Sequence, residues 1–339
     1  MKKRILGKTG LEVSEIGLGG LFISSAGTSQ FAKSKEAVLR ALELGINYID
    51  TAPGYFNSEE VLGKIIGEVK KPFILSTKFG GRPLPFRPKD KDCLMQSIEE
   101  SLKLLKRDYI DILIIHEPDR PRQYDWWADP VEYYGPVTEV LDSLKKDGVI
   151  GYTGIGGTTA YEIAPIINSG RFDVVLTAFN YSLLWREAEI SVLPAAIKNN
   201  MGLIIGSPLQ QGALACRYDD QVNNGAPWLS PPRREQYKAL YRFLDEINIP
   251  LPELAIRFVL SNPNISCVLS GARNVSEIEQ NVAIAEKGTL PKYILDKIDE
   301  IAKMVPFRPF EEPFCMPFER DYAGPGPVDF GIARIKEGE

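Results

Sequence analysis

Eight short apolar runs recur along the chain in alternation with amphipathic helical segments, and this alternation narrows the fold more than any other feature. The runs cover residues 13–19, 46–50, 73–78, 110–116, 151–156, 174–179, 202–206 and 267–270. Each is rich in β-branched residues or glycine and short enough for a buried strand. Residues 34–44, 58–66, 89–106, 137–146, 160–168, 187–199, 233–246, 252–260 and 275–285 space their apolar positions for one helical face. Repeated strand–helix units call for parallel strands joined by right-handed crossovers. Eight such strands close a (β/α)8 TIM barrel, which is the fold expected here; a doubly wound open sheet is the structural competitor.

The helix ends are punctuated, as where Lys145-Lys-Asp-Gly148 sets cations and then glycine at a stop. No Ser/Gly/Pro-rich linker separates complete sets of strands, so residues 1–339 are expected to form one domain with its barrel at about 13–286. Ahead of the barrel, residues 4–13 read as a small hairpin turning at Lys8-Thr9-Gly10 and plugging the far end. Three long connections are rich in Pro, Gly and aromatics: 117–136, 210–232 and the tail 306–339. The first two leave carboxyl ends of strands, and the tail is expected to wrap or line the pocket.

Composition excludes several function classes. A formal net charge of −5 with no basic patch argues against nucleic acid or an anionic membrane as partner. The start lacks an apolar leader and no window approaches a membrane span, so a cytoplasmic protein is expected. Cys93, Cys216, Cys267 and Cys315 form no short paired spacing, and the chain has a single histidine, so no metal is expected.

That histidine, His116, ends the apolar run at 110–116, which lands it at the carboxyl edge of the sheet where α/β enzymes place their chemistry. Asp50 and Lys78 end two other runs, and Tyr55 follows Asp50 by a short loop. A phenol of pKa about 10 is a poor acid near neutrality. An ammonium beside it lowers that value, and a carboxylate keeps a buried ammonium charged. Lys78 is therefore expected to tune Tyr55 as proton donor or acceptor, Asp50 to hold Lys78, and His116 to orient a carbonyl. A cation after Phe73-Ile-Leu is costly without such a purpose.

With those residues in view, the chain resembles the aldo-keto reductase superfamily. The resemblance is carried by Asp50-Thr-Ala-Pro-Gly-Tyr55, Ser58-Glu-Glu-Val-Leu-Gly63, Ser76-Thr-Lys78, Tyr109-Ile-Asp-Ile-Leu-Ile-Ile-His116, Gly206-Ser-Pro-Leu209 and Ser270-Gly-Ala-Arg-Asn274 leading to Asn281. It implies a barrel that binds NAD or NADP in extended form, with Asp50, Tyr55, Lys78 and His116 as catalytic tetrad. Ser207 and Leu209 match the pyrophosphate loop. Ser270, Gly271, Ala272 and Arg273 offer amides and a helix N-terminus to phosphate, and Gln280 and Asn281 match the adenine end. The chain departs from the family at Gly156-Gly157, commonly Ser-Asn, at Ala178, near a common glutamine, and at Gly206, often aromatic. The nicotinamide is then expected to be held by backbone groups such as those at Gly156 and Gly157, by neighbours such as Asn180, or by loop aromatics. Arg273 suits a 2′-phosphate, whereas Glu277 would repel it and accept from a free ribose diol, so both cofactors stay open.

For substrate, Trp126, Trp127, Tyr133 and Tyr134 crowd the loop after His116 among Asp125, Asp129 and Glu132. They are expected either to form an aromatic platform for a sugar or to pack as a lid or subunit contact, with Trp228 and the tail as opposite wall. The expected function is hydride transfer between NAD(P)(H) and a carbonyl or alcohol, with a sugar (aldose) or related polyol as the expected substrate class. Its rival is a cofactor-binding regulatory protein with little turnover, a role the superfamily also contains. The oligomeric state is open.

Overall fold

The computed structural model describes residues 1–226 and 228–306; the expected role of the tail lies outside the described residues. Its strands are β1 (Lys3–Ile5), β2 (Glu12–Ser14), β3 (Ile16–Gly19), β4 (Tyr48–Asp50), β5 (Ile74–Phe79), β6 (Ile110–His116), β7 (Ile150–Gly157), β8 (Val174–Ala178), β9 (Gly202–Gly206) and β10 (Cys267–Gly271). β3 to β10 pair in parallel and in chain order, and β10 closes on β3 through Val268–Ile16 and Leu269–Gly17. The fold is a (β/α)8 TIM barrel.

Strand parity sets what the barrel presents. Tyr48, Ile74, Ile112, Ile114, Val174, Leu176, Ile204, Cys267 and Leu269 pack together as one apolar cluster inside the barrel. Residues an even number of positions further along each strand face the same way. That rule turns Asp50, Lys78 and His116 inward at the carboxyl ends of β4, β5 and β6, and Gly156, Ala178 and Gly206 inward at the ends of β7, β8 and β9. The mouth is thus charged on one side and nearly bare of side chains on the other. The second, larger cluster lies between the barrel and its helices, with Phe79, Leu94, Val137 and Ile163 among its buried members.

The run at 13–19 is not one strand. Val13 belongs to β2, which pairs with β1 as an antiparallel ribbon, and β3 begins at Ile16. The ribbon closes the amino end of the barrel as expected. Leu6 is fully buried against the interior cluster, Lys8 N donates to Asn200 O at 2.7 Å, and Tyr152 Oη donates to Thr9 O at 2.8 Å. The approach is close enough to require two glycines. A Cβ on Gly202 would lie 2.5 Å from Leu6 Cγ, and one on Gly7, whose φ is +50°, would lie 2.3 Å from Gly202 N. Arg4 ties the ribbon to the last helix–strand connection, donating to the carbonyls of Leu260, Asn262 and Ile265.

Most helices follow the expected periodicity, with Ser58–Ile66 and Ala160–Asn168 at the expected bounds. Residues 187–199 break into Glu187–Ile190 and Val192–Lys198 at Ser191, whose hydroxyl donates to Ala160 O of a neighbouring helix at 2.8 Å and more weakly to Glu187 O at 3.4 Å. Two further helices, Asp219–Asn224 and Lys292–Ala302, were not expected. Among the described residues no helix is long and apolar enough to cross a membrane.

The plug predicts a separation of stability from the site at the opposite end. Leu6→Ala should lower the unfolding free energy by about 2–5 kcal/mol, the usual range for a buried leucine. Denaturant titration measures that loss, and dinucleotide affinity should stay at the parent's value.

Candidate active site

Lys78 is the centre of the polar side of the mouth. Only 1% of it is exposed, and its Nζ donates to Asp50 Oδ2 at 2.6 Å and to Thr51 O at 2.8 Å. Asp50 is held in turn by Ser76, whose Oγ donates to Asp50 Oδ1 at 2.7 Å and accepts from Tyr48 Oη at 2.8 Å. Burial opposes the ammonium, but Asp50 and then Tyr55 more than offset it, so Lys78 stays charged with its pKa raised.

Tyr55 stands over this ammonium, with Lys78 Nζ 4.6 Å from its ring centroid. A turn carries it there, closed by Tyr55 N donating to Ala52 O and Ser58 N to Tyr55 O. Ser58 Oγ donates to Gly20 O at 2.7 Å, where a Cβ on Gly20 would lie 2.7 Å from Asp50 O. Gly20 is therefore needed for close backbone approach. The expected pull of Lys78 on the Tyr55 pKa is present but outweighed. Burial raises it, Lys78 pulls it down by less, and the net direction is upward. The site holds a protonated phenol.

His116 meets Tyr55 edge-on, with ring centroids 5.8 Å apart. Burial and then Lys78 push its pKa well below the ordinary imidazole value, so it is neutral. One ring nitrogen then donates and the other accepts. Its Nδ1 has no partner among the described residues. The four residues form a compact proton-transfer group: a phenol that can give a proton, an ammonium that stabilises the phenolate, and an imidazole that can orient an oxygen.

The bare side of the mouth fits a dinucleotide. A Cβ on Gly156 would meet Ile114 Cγ2 at 3.0 Å, and one on Gly206 would meet Ala178 Cβ at 3.2 Å, so small residues here keep the floor low. Around this floor several buried polar atoms lack partners among the described residues: Asp119 Oδ1, Asn180 Oδ1, Ser270 Oγ and both amide atoms of Gln210. Buried polar groups rarely go unpaired without a ligand or water to satisfy them. Ser207 (φ +54°), Gln210 (φ +50°) and Gln211 (φ +55°) hold the loop after β9 in left-handed conformations, and Leu209 O accepts from Gly212 N and Leu214 N within it. Ser270 and Gly271 end β10, Ala272 is buried, and Asn274 caps Val275–Glu286 by accepting from Glu277 N at 3.0 Å. Asn281 is buried in that helix and Gln280 exposed. Arg273 is engaged by Glu277, its Nη2 donating to Oε1 at 2.9 Å and its backbone N to Oε2 at 2.8 Å.

Sequence reasoning missed a carboxyl pair directly after β6. Glu117 and Asp119 are 3% and 5% exposed. Glu117 Oε2 accepts from Thr158 Oγ1 at 2.8 Å and pairs with Arg120 Nε at 3.1 Å, and its own φ is +51°. Asp119 Oδ2 accepts from Thr158 N, Thr159 N and Thr159 Oγ1. Burial, and then Asp119, raise the Glu117 carboxyl to about 8 against the opposing pull of Arg120. Acidic residues immediately beyond a strand-end histidine were the available signal.

The open aromatic platform is not what the fold builds. Trp126 is fully buried and Trp127 only 7% exposed. Trp126 Nε1 donates to His116 O at 3.0 Å, so it braces the end of β6 from behind. Trp127 packs edge-on against Tyr133 at 5.6 Å and near Phe172. The reason is length: the loop is long enough to fold back and bury indole area that would otherwise face water. Trp228 packs between Tyr218 and Tyr237 and donates to Gln221 Oε1 at 2.6 Å, which also makes it part of a packed loop.

Glu117 supplies a pH test of this geometry. A carboxyl whose pKa rises from 4.5 to about 8 on folding stabilises the folded state below pH 4.5, relative to its ionised form, and loses that contribution as pH climbs to 8. Glu117→Gln removes the titration. Parent stability, measured by denaturant unfolding, should therefore decline relative to the variant's across this window.

Comparison with known proteins agrees with the fold. The model of the aldo/keto reductase family matches residues 15–303. A probable voltage-gated potassium channel subunit beta from Arabidopsis thaliana is 30% identical over 91% of this chain and 99% of its own. L-Galactose dehydrogenase from the same plant is 30% identical over 83% of this chain and 86% of its own. Among solved structures, the holo form of aldo-keto reductase AKR11C1 from Bacillus halodurans superposes with a TM-score of 0.72, at 27% identity, over 90% of this chain and 97% of that one. The chain belongs to the aldo/keto reductase family of NAD(P)-dependent oxidoreductases.

Proposed function

We propose that this protein interconverts a small carbonyl compound, of the aldose or related polyol class, and its alcohol, with Asp50, Tyr55, Lys78 and His116 as the catalytic group. The observation that carries the reading is the buried Lys78 ammonium, bonded to Asp50 and lying beneath the Tyr55 ring. The nicotinamide supplies or accepts the hydride when bound. In reduction Tyr55 donates its phenolic proton to the carbonyl oxygen, Lys78 stabilises the phenolate that remains, and neutral His116 donates a hydrogen bond that orients the oxygen. Oxidation runs the same proton back to Tyr55. The sugar assignment is supported by similarity to a protein named L-galactose dehydrogenase. The small floor at Gly156, Ala178 and Gly206, the loop at Ser207–Leu209 and the 270–281 segment would hold the dinucleotide.

For cofactor choice, the Arg273–Glu277 pair supports NAD(H). A guanidinium already engaged by a carboxylate must leave it to meet a 2′-phosphate, and the carboxylate then repels that phosphate. Glu277→Gln should raise NADPH affinity about tenfold, the scale of one charge-assisted contact, and leave NADH within a small factor. Calorimetric titration of both nucleotides decides it; equal changes would remove Glu277 from cofactor selection.

A second reading follows from the similarity to a potassium channel subunit: a cofactor-binding protein with little turnover. A screen of sugars, aldehydes and ketones in both directions separates the two. On the best substrate, Tyr55→Phe and Lys78→Met should each lower turnover by about 10²–10⁴-fold, the range of general acid–base catalysis, with dinucleotide affinity retained. Because burial keeps Tyr55 protonated, the reduction rate should hold level through neutral pH and fall only in the alkaline range where the phenol ionises. Oxidation should rise with pH. Unchanged turnover in Tyr55→Phe would overturn the assignment.

A further inference from the structure

Ser76 and Lys78 share the inward face of β5, Tyr48 and Asp50 share that of β4, and Asp50 is paired with Ser76 in the register between them. All four are buried, and their hydrogen bonds converge on Asp50 from two sides. From below, Tyr48 Oη donates to Ser76 Oγ at 2.8 Å and Ser76 Oγ donates to Asp50 Oδ1 at 2.7 Å; from above, Lys78 Nζ donates to Asp50 Oδ2 at 2.6 Å. A serine hydroxyl has one proton to give. Tyr48 fixes where it goes, because Tyr48 fills a Ser76 lone pair and keeps its own proton: burial and then Asp50 raise its pKa well above the ordinary phenol value. The Tyr48 ring is closely packed, since a Cβ on Gly17 would lie 2.9 Å from its Cδ1.

The two oxygens of Asp50 therefore have separate tasks. Ser76 occupies Oδ1, so Oδ2 is the oxygen that faces the ammonium. An ammonium has three protons. One meets Oδ2 and one meets Thr51 O at 2.8 Å, which leaves the third for the side of Tyr55, whose ring centroid lies 4.6 Å from Nζ. From this geometry, and resting on the reaction proposed above, we infer that Ser76, backed by Tyr48, is a positioning residue: it holds the Asp50 carboxylate so that Lys78 is shared between one carboxylate oxygen and the Tyr55 phenol. Without the Ser76 hydroxyl, Oδ1 becomes a buried acceptor that has lost its donor, beside an ammonium already bonded to the same carboxylate. Asp50 then draws Lys78 more strongly, and the Tyr55 phenolate is stabilised less. Lys78, Asp50 and Glu117 act on Tyr55, with His116 edge-on to it, and Asp50 in turn is faced by Lys78, Tyr48 and Cys267. Ser76 Oγ bonds Asp50 and Tyr48 alone among the described residues, so its influence on the phenol runs through Asp50.

The test reads the phenol directly. In the full chain carrying tyrosine labelled with carbon-13 at Cζ, the Tyr55 signal is assigned by its loss in Tyr55→Phe and followed as pH is raised. Ser76→Ala should displace its ionisation upward by about one unit, a tenfold change in the ionisation constant, and Tyr48→Phe should displace it the same way by less. Ser76→Thr, which keeps the hydroxyl, should titrate with the parent. With glyceraldehyde, the smallest aldose, as probe, Ser76→Ala should lower kcat about tenfold and leave KM and dinucleotide affinity in place. A loss of packing alone would lower the melting temperature and leave the titration where it was. A parent-like titration in Ser76→Ala, or in Tyr48→Phe where Ser76→Ala does not fold, overturns the inference and leaves the proposed reaction standing. A Ser76→Thr protein displaced as far as Ser76→Ala overturns it too. A parent that turns over neither glyceraldehyde nor any other carbonyl of the screen overturns the proposed reaction, and the titration still decides whether Ser76 positions Asp50.

Discussion

A charged amine buried at the end of a barrel strand is the constraint around which the site is organised. The Lys78 ammonium is tolerable at 1% exposure only because Asp50 and the Thr51 carbonyl replace its lost hydration. That requirement propagates outward. Asp50 is itself anchored by Ser76, and Ser76 by Tyr48, so a hydrogen-bonded chain runs from the barrel interior to the mouth. The same ammonium acts on three neighbours: it opposes the upward shift of Tyr55, helps keep His116 neutral, and favours ionisation of Glu117. Removing one partner would leave an uncompensated charge, and the geometry of the remaining groups would lose its reason.

The mouth is divided by side-chain size as much as by charge. Three consecutive strands, β4 to β6, end inward in Asp50, Lys78 and His116, and the next three end inward in Gly156, Ala178 and Gly206. A reactive centre and a shallow floor therefore lie beside each other in one closed sheet, with the parallel register keeping their heights matched. The floor is low because its Cβ positions are absent or minimal.

Several buried ionisable groups crowd the end of β6, and their cost is shared unequally. Glu117 rests at about 8 because burial and Asp119 outweigh Arg120. Asp119 instead collects three donors on one oxygen, two of them backbone amides at the start of the helix Ala160–Asn168. Trp126 closes the back of this region through its bond to His116 O. The left-handed backbone at Glu117 makes the chain turn sharply enough for the histidine, the carboxyl pair and the indole to share one strand end.

The order of strands, their number, most of the helices between them and the inward placement of Asp50, Lys78 and His116 were legible in the sequence, because period and strand parity are local properties that survive folding. The hairpin plug was legible for the same reason, although its boundary with β3 was not: Val13 and Ile16 are apolar alike, and only pairing assigns them to different sheets. The helix Lys292–Ala302 was missed, although its buried Ile294, Ile298 and Ile301 lie at helical spacing. What tertiary structure alone decided is what fills each space. Trp126 could face water or core, and the return path of a long loop chose core. The space beside Gly157 could be open or filled, and the Asp119 carboxylate from another loop fills it. The pKa of Tyr55 depends on burial as well as on the nearest charge, and burial belongs to the whole mouth, which no spacing in the chain encodes.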